Sequence, residues 1–162
     1  MEKSALRTAY LKQRKHMTAA VVLAKSTTIC HAAYDLIDWS PVKQLCVYSS
    51  VHPEVDTSSF MERVRESQPS VTISLLGTAR DTAFPNAHFD VIIVPVVAFD
   101  AQCSRLGRGS GWYDKFLAAQ PTAITIGLAF AAQEAPSIPH EAHDIPLDYI
   151  VTEQRVFSGN TA

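Results

Sequence analysis

The apolar positions of this chain switch repeatedly between a helical and an extended period. From Lys3 to Met17, the residues Leu6, Tyr10, Leu11 and Met17 recur at broadly helical spacing among basic residues. Thr18 is placed to cap a second helix with Val22, Ile29, Ala33 and Leu36 as its apolar stripe, and Ser40-Pro41 ends it. Gln44 to Val51 (QLCVYSSV) reads as a buried strand, followed by a loop with His52, Pro53 and Glu54. Thr57 can cap a short helix carrying Phe60, Met61 and Val64 on one side. Val71 to Leu76 is a second β-like run, and Gly77 to His88 has no clear period and reads as a loop. Asp90 to Phe99 is the strongest strand signal, β-branched and uninterrupted until Pro95. After a glycine-rich turn comes a helix from Trp112 to Ala118, and Thr122 to Phe130 and Asp148 to Glu153 supply two further strands.

Strands that alternate with helices and are apolar throughout imply a sheet covered on both faces. The expected fold is therefore α/β: one domain over residues 1–162, with a largely parallel sheet and helices on both faces, a Rossmann-like three-layer arrangement. The length of 162 residues agrees, since a domain takes roughly 100–200 residues. A composition of 47% hydrophobic and 19% charged residues excludes a disordered chain, and a net charge of −2 excludes a dedicated basic nucleic-acid surface. Cys30, Cys46 and Cys103 are odd in number and irregularly spaced, which reads as free thiols in a reducing cytoplasm rather than a disulfide framework. No apolar run approaches the roughly 20 residues that span a bilayer. The cationic N-terminus lacks the apolar centre and cleavage site of a signal peptide, so the expected address is cytoplasmic.

Chemistry concentrates in RLGRGSGWYD, Arg105 to Asp114, which follows the strongest strand and precedes a helix. In open α/β sheets ligands sit at the carboxyl ends of the strands, where such a loop would lie. Gly107, Gly109 and Gly111 permit close approach of a ligand to backbone amides, Arg105 and Arg108 add positive charge, and Asp114 offers a hard oxygen for Mg²⁺. The spacing is neither the Gly-x-Gly-x-x-Gly dinucleotide fingerprint nor a Walker loop, and a plain strand-to-helix turn with water-facing arginines fits it as well. His140 and His143 form an isolated His-x-x-His that reads as two solvent-facing loop histidines, because a metal site needs further ligands. Taken alone, Lys3, Arg7, Lys12, Arg14 and Lys15 read as a solvated helix face.

RLGRGSGWYDKFL closely resembles the signature of the 5-formyltetrahydrofolate cyclo-ligases, also called 5,10-methenyltetrahydrofolate synthetases. KSALR (Lys3 to Arg7) resembles the family's N-terminal basic element, and CVYSSVHPEVDT (Cys46 to Thr57) its first strand and folate-side loop. IGLAFAAQ and IPHEAHDIPLDYIVTE resemble its closing segments. The resemblance implies an ATP site built from Lys3, Ser4, Ala5, Leu6 and Arg7 together with Arg105, Leu106, Gly107, Arg108, Gly109, Ser110, Gly111, Trp112 and Tyr113. It further implies Mg²⁺ at Asp114 and Asp144, and a reduced folate held by Arg7, Ser49, Glu54, Arg108 and Trp112. Lys3, Arg105 and Arg108 are the implied catalytic cations, the first two holding the triphosphate and Arg108 neutralising charge on the transferred phosphoryl group. Trp112 and Ser110 stand where many relatives carry tyrosine and glycine or lysine.

The implied activity is the ATP-dependent conversion of 5-formyltetrahydrofolate to 5,10-methenyltetrahydrofolate, ADP and phosphate, by a monomer that contacts neither nucleic acid nor membrane. Such chemistry asks for positioning and charge neutralisation, and none of the three cysteines is given a role. The connection of residues 77–89 is shorter than the segment that carries part of the folate pocket in the family. Either Ala83 to His88 and neighbouring loops close the pocket differently, or the folate side is lost. The second case leaves a relative that binds nucleotide or a partner without cyclisation, or that acts on another N-formyl substrate.

Overall fold

A computed structural model describes residues 2–77 and 84–159. The alternation of elements is as expected: α1 (Lys3–Arg14), α2 (Ala19–Leu36), β1 (Gln44–Tyr48), α3 (Ser58–Ser67), β2 (Thr72–Leu76), β3 (Val91–Pro95), β4 (Ala98–Phe99), β5 (Arg105–Leu106), α4 (Trp112–Ala118), β6 (Ile124–Leu128), β7 (Tyr149–Val151) and β8 (Val156–Ser158). Six of the strands form one sheet in the order β2-β1-β3-β6-β7-β8, parallel except for the antiparallel pair β7 and β8.

Strand side chains divide by parity, as a sheet covered on both faces requires. Leu45 and Val47 of β1, Val91 and Ile93 of β3, and Ile126 and Leu128 of β6 pack with Val22, Ile29 and Ala33 of α2 and Phe60 and Val64 of α3. Cys46, Ile92, Val94 and Ile150 point the other way, into a second cluster with Trp112, Tyr113, Phe116 and Leu117 of α4. Hence α2 and α3 cover one face and α4 the other, giving the three layers. A third, small cluster of Leu6, Ala98, Leu106, Ala135 and Ile138 seats α1.

Local details differ from expectation in three places. Thr18 does cap α2, its hydroxyl accepting from Val21 N at 3.2 Å. Thr57 does not cap α3; its hydroxyl donates instead to the carbonyl of Tyr48 at 3.2 Å, tying the loop after β1 back to that strand. The run from Asp90 to Phe99 is not one strand. β3 stops at Pro95, which has no N–H to continue the ladder, and Ala98–Phe99 leaves the sheet to pair antiparallel with Arg105–Leu106 as a separate ribbon. β8, too short to stand out in the pattern, adds an antiparallel edge.

The chain leaves β1 for β2 on one side and returns to β3 on the other. That reversal opens a crevice at the carboxyl ends of β1 and β3, the place where open α/β sheets hold ligands.

Candidate active site

A cavity of about 430 Å³ occupies this crevice, within the roughly 300–1,000 Å³ of small-molecule sites. Its wall comes from four parts of the chain: Lys3 and Arg7 of α1, Val51 and Glu54 after β1, Pro95 to Val97 after β3 with the whole glycine loop from Arg105 to Asp114, and Glu141, His143 and Asp144 near the C-terminus.

The glycine loop is held from α1. Arg7 Nε donates to the carbonyl of Gly107 at 2.7 Å. Gly109 (φ +113°) and Gly111 (φ +71°) both lie in the left-handed region that favours glycine. A Cβ on Gly109 would also come within 3.3 Å of Arg7 Cζ, a tight contact that the guanidinium would have to relieve by a shift of a few tenths of an ångström. Ser110 steadies the following turn, its hydroxyl accepting from Trp112 N at 3.2 Å.

Charge is arranged in three opposed sets. Lys3 Nζ lies 2.6 Å from Asp144 Oδ2 and 3.4 Å from Glu141 Oε1. Burial lowers the Lys3 pKa, but the hydrogen bond and charge of Asp144, with Glu141 behind them, outweigh it and hold the ammonium above its ordinary value. For Asp144, burial pushes upward, and the Lys3 hydrogen bond, the Glu141 amide and nearby positive charge bring the carboxyl below its ordinary range. Arg105, its side chain only 5% exposed, sits 3.8 Å from Asp114 Oδ1 and donates from Nε to the Pro95 carbonyl at 3.3 Å. Burial pulls its pKa down while Asp114 opposes that shift. Arg108 extends from the loop with its side chain 61% exposed, and its Nη2 is 3.9 Å from Glu54 Oε2. Glu54 is buried, and its Oε1 accepts from Val51 N at 2.8 Å.

Most of the expected residues meet here. Lys3, Arg7, Glu54, Arg105 to Asp114 and Asp144 all line the one cavity. Ser4 and Ala5 do not: they are exposed on the outer side of α1. Leu6 is buried in the cluster that seats α1. Ser49 lies at the end of β1, where its amide donates to the Leu76 carbonyl at 2.7 Å, and its side chain is not part of the cavity wall. His143 lines the cavity with its ring largely exposed, 3.6 Å from both Glu141 and Asp144, whereas His140 faces solvent. Of the short connection, Ala83 lies outside the described residues. Phe84 packs edge-on against Trp112, ring centroids 5.2 Å apart, so an aromatic from this segment does stand beside the cavity-lining indole.

Arg14 corrects the solvated-face reading of α1. It is 4% exposed, donates from Nη1 to the carbonyl of Val96 at 3.1 Å, and buries its Nε with no hydrogen-bond partner. Burial lowers its pKa, the charge of Glu54 opposes that shift and the charge of Arg108 adds to it. The signal in the sequence was positional: Arg14 follows Lys3 and Arg7 at helical spacing on the same face, whereas Lys12 and Lys15 point outward.

Asp114 and Asp144 fit a hard divalent cation. Both are carboxylates on the same cavity, and no group of three metal-ligating side chains exists among the described residues. That donor set suits Mg²⁺, which takes one or two carboxylates and completes its shell with water and substrate phosphates rather than an all-protein cage.

Comparison with known proteins points to one family. The model of the 5-formyltetrahydrofolate cyclo-ligase family matches residues 75–153. A probable 5-formyltetrahydrofolate cyclo-ligase of Schizosaccharomyces pombe is 26% identical over 84% of this chain and 87% of its own length. The 5-formyltetrahydrofolate cyclo-ligase of Haemophilus influenzae is 25% identical over 88% of this chain and 92% of its own. The solved 5,10-methenyltetrahydrofolate synthetase of Aquifex aeolicus shares the fold, with a TM-score of 0.81 at 24% identity over 100% of this chain and 95% of that one.

Proposed function

Because this chain belongs to the 5-formyltetrahydrofolate cyclo-ligase family, we propose that its cavity converts 5-formyltetrahydrofolate and ATP to 5,10-methenyltetrahydrofolate, ADP and phosphate. The observation that carries this reading is the convergence of Lys3, Arg105 and Arg108, the glycine loop, Asp114 and Asp144 on a single cavity, with Glu54 and Trp112 also in its wall.

A formamide oxygen is a poor leaving group. Transfer of the γ-phosphoryl group to that oxygen releases ADP and makes the formyl carbon electrophilic. The second folate nitrogen then attacks this carbon and gives up its proton, and the carbon–oxygen bond breaks as phosphate leaves. Phosphoryl transfer needs alignment and charge neutralisation more than covalent help from the protein. Lys3, Arg105 and the loop amides hold the triphosphate, and Arg7 fixes the loop through Gly107. Arg108, exposed at the loop tip and facing Glu54, meets the charge developing on the transferred group. Asp114 and Asp144 would hold Mg²⁺, which when bound neutralises phosphate charge. Glu54 accepts from the folate, and Trp112 with Phe84 supplies an aromatic flank.

The test is direct. Purified protein mixed with Mg-ATP and 5-formyltetrahydrofolate is followed by the near-ultraviolet absorbance of the methenyl product. Product formation should require both ATP and protein. Replacing Arg108→Ala should lower kcat by on the order of a hundredfold or more while changing nucleotide affinity little, since the interaction is made mainly in the transition state. Absence of product with intact nucleotide binding would reassign the site to another N-formyl substrate or to binding alone.

A further inference from the structure

Asp144, the carboxylate assigned to the metal, is engaged on both of its oxygens. Asp144 Oδ2 accepts from Lys3 Nζ at 2.6 Å and from the Glu141 amide at 2.8 Å, while Oδ1 faces the His143 ring at 3.6 Å. Glu141, the other acid within reach, is drawn to the same ammonium. A divalent cation approaching Asp144 therefore meets a positive charge in direct contact with the oxygen it needs.

Lys3 can leave that position when something better arrives. It stands at the start of α1 on a flexible four-carbon stem, and a triphosphate offers an ammonium more negative charge than one carboxylate. Arg105 is not mobile in the same way, since it is buried and bonded to the Pro95 carbonyl.

We infer that Lys3 is a latch on the metal site: it covers Asp144 in the free protein and transfers to the nucleotide phosphates, so that the divalent cation and the nucleotide enter together. The inference rests on the assignment of Asp144 to the metal made above, and adds to it an order imposed by one side chain. Linkage makes the coupling reciprocal, because whatever draws Lys3 away from Asp144 strengthens cation binding and is strengthened by it.

Mn²⁺ binding, read by water-proton relaxation, separates ion on the protein from ion free or on nucleotide alone. The wild-type chain without nucleotide should bind Mn²⁺ weakly, and a non-hydrolysable ATP analogue should produce a strong ternary signal. Lys3→Met without nucleotide should bind Mn²⁺ at least roughly tenfold more tightly than wild type, a size usual for coupled sites. Adding Asp144→Asn to that variant should abolish the gain. Lys3→Arg, which keeps the charge, should stay closed, and urea midpoints close to wild type would show all variants folded. Equal Mn²⁺ affinity of wild type and Lys3→Met without nucleotide overturns the latch, while a normal ternary signal would leave the metal assignment standing. No ternary signal in the wild type would remove both.

Discussion

At the scale of single residues, burial has its clearest consequence at Cys103. This thiol is fully buried in the turn between the ribbon strands, on a backbone with φ of 63°, and its carbonyl accepts from Leu147 N at 2.9 Å. Asp100 organises the same turn, its Oδ1 accepting from Gln102 N and Ser104 N. Burial pushes the Cys103 thiol up to about 11 from an ordinary value of 9.0, with the charges of Asp100 and Asp148 adding to the effect and a backbone hydrogen bond from Ile150 opposing it. Between these two values the unfolded chain gives up the proton and the folded chain keeps it. The unfolded state then binds fewer protons, so stability falls as pH rises through that window. Two units correspond to a loss on the order of 2–3 kcal/mol by pH 11. Chemical denaturation at stepped pH should show this decline in the wild type, and the slope between pH 9 and 11 should be shallower in Cys103→Ala, which keeps the same backbone demand. Parallel slopes in the two proteins would assign the decline to other groups, such as buried Tyr48, whose hydroxyl is also raised by burial.

At the scale of elements, the glycine loop separates two costs that a sequence cannot. Gly109 and Gly111 share a positive φ, but only Gly109 has a neighbour in the way, the guanidinium of Arg7. Gly111→Ala should cost about 1–2 kcal/mol of backbone strain and leave nucleotide affinity within a fewfold. Gly109→Ala should carry comparable strain and also press on the Arg7 guanidinium that holds Gly107, so that nucleotide binding weakens more than in Gly111→Ala. Calorimetric titration of both variants with Mg-ATP checks the contrast, and equal losses would show that Arg7 does not set the loop. The loop, α4 and the parallel strands were legible because each rests on a local pattern: alternating glycines, an aromatic helix face, and β-branched runs. What escaped depends on partners distant in the chain. Arg14 looks solvated in a row of cations until Val96, far along the sequence, offers it a carbonyl. The Thr57 hydroxyl looks like a cap until Tyr48 competes for it.

At the scale of the whole molecule, α1 differs from every other helix in what holds it. The helices α2, α3 and α4 join the two large clusters that sandwich the sheet. α1 buries Leu6, with Tyr10 partly covered, against a small cluster on the ribbon side. Its remaining ties are polar: Lys3 to Asp144, Arg7 to the Gly107 carbonyl, Tyr10 Oη to the Glu134 carbonyl at 3.1 Å, and Arg14 to the Val96 carbonyl. One buried leucine contributes about 1.5–3 kcal/mol, well short of what anchors a central strand. Elements held this way open locally at lower free energy than the core, and ligands that engage them restore the difference. Backbone amides of residues 7–14 should therefore exchange with solvent deuterium at least roughly tenfold faster than those of β1, β3 and β6 in the free protein. Mg-ATP should slow exchange in α1 far more than in α2, because the proposed nucleotide site includes Lys3 and Arg7 and no residue of α2 lines the cavity. Were α1 as protected as β3 before any ligand is added, its docking would be part of the core. The cavity would then be a rigid, preformed one, and Lys3 would have to release Asp144 by rotating its side chain alone while its helix stayed in place.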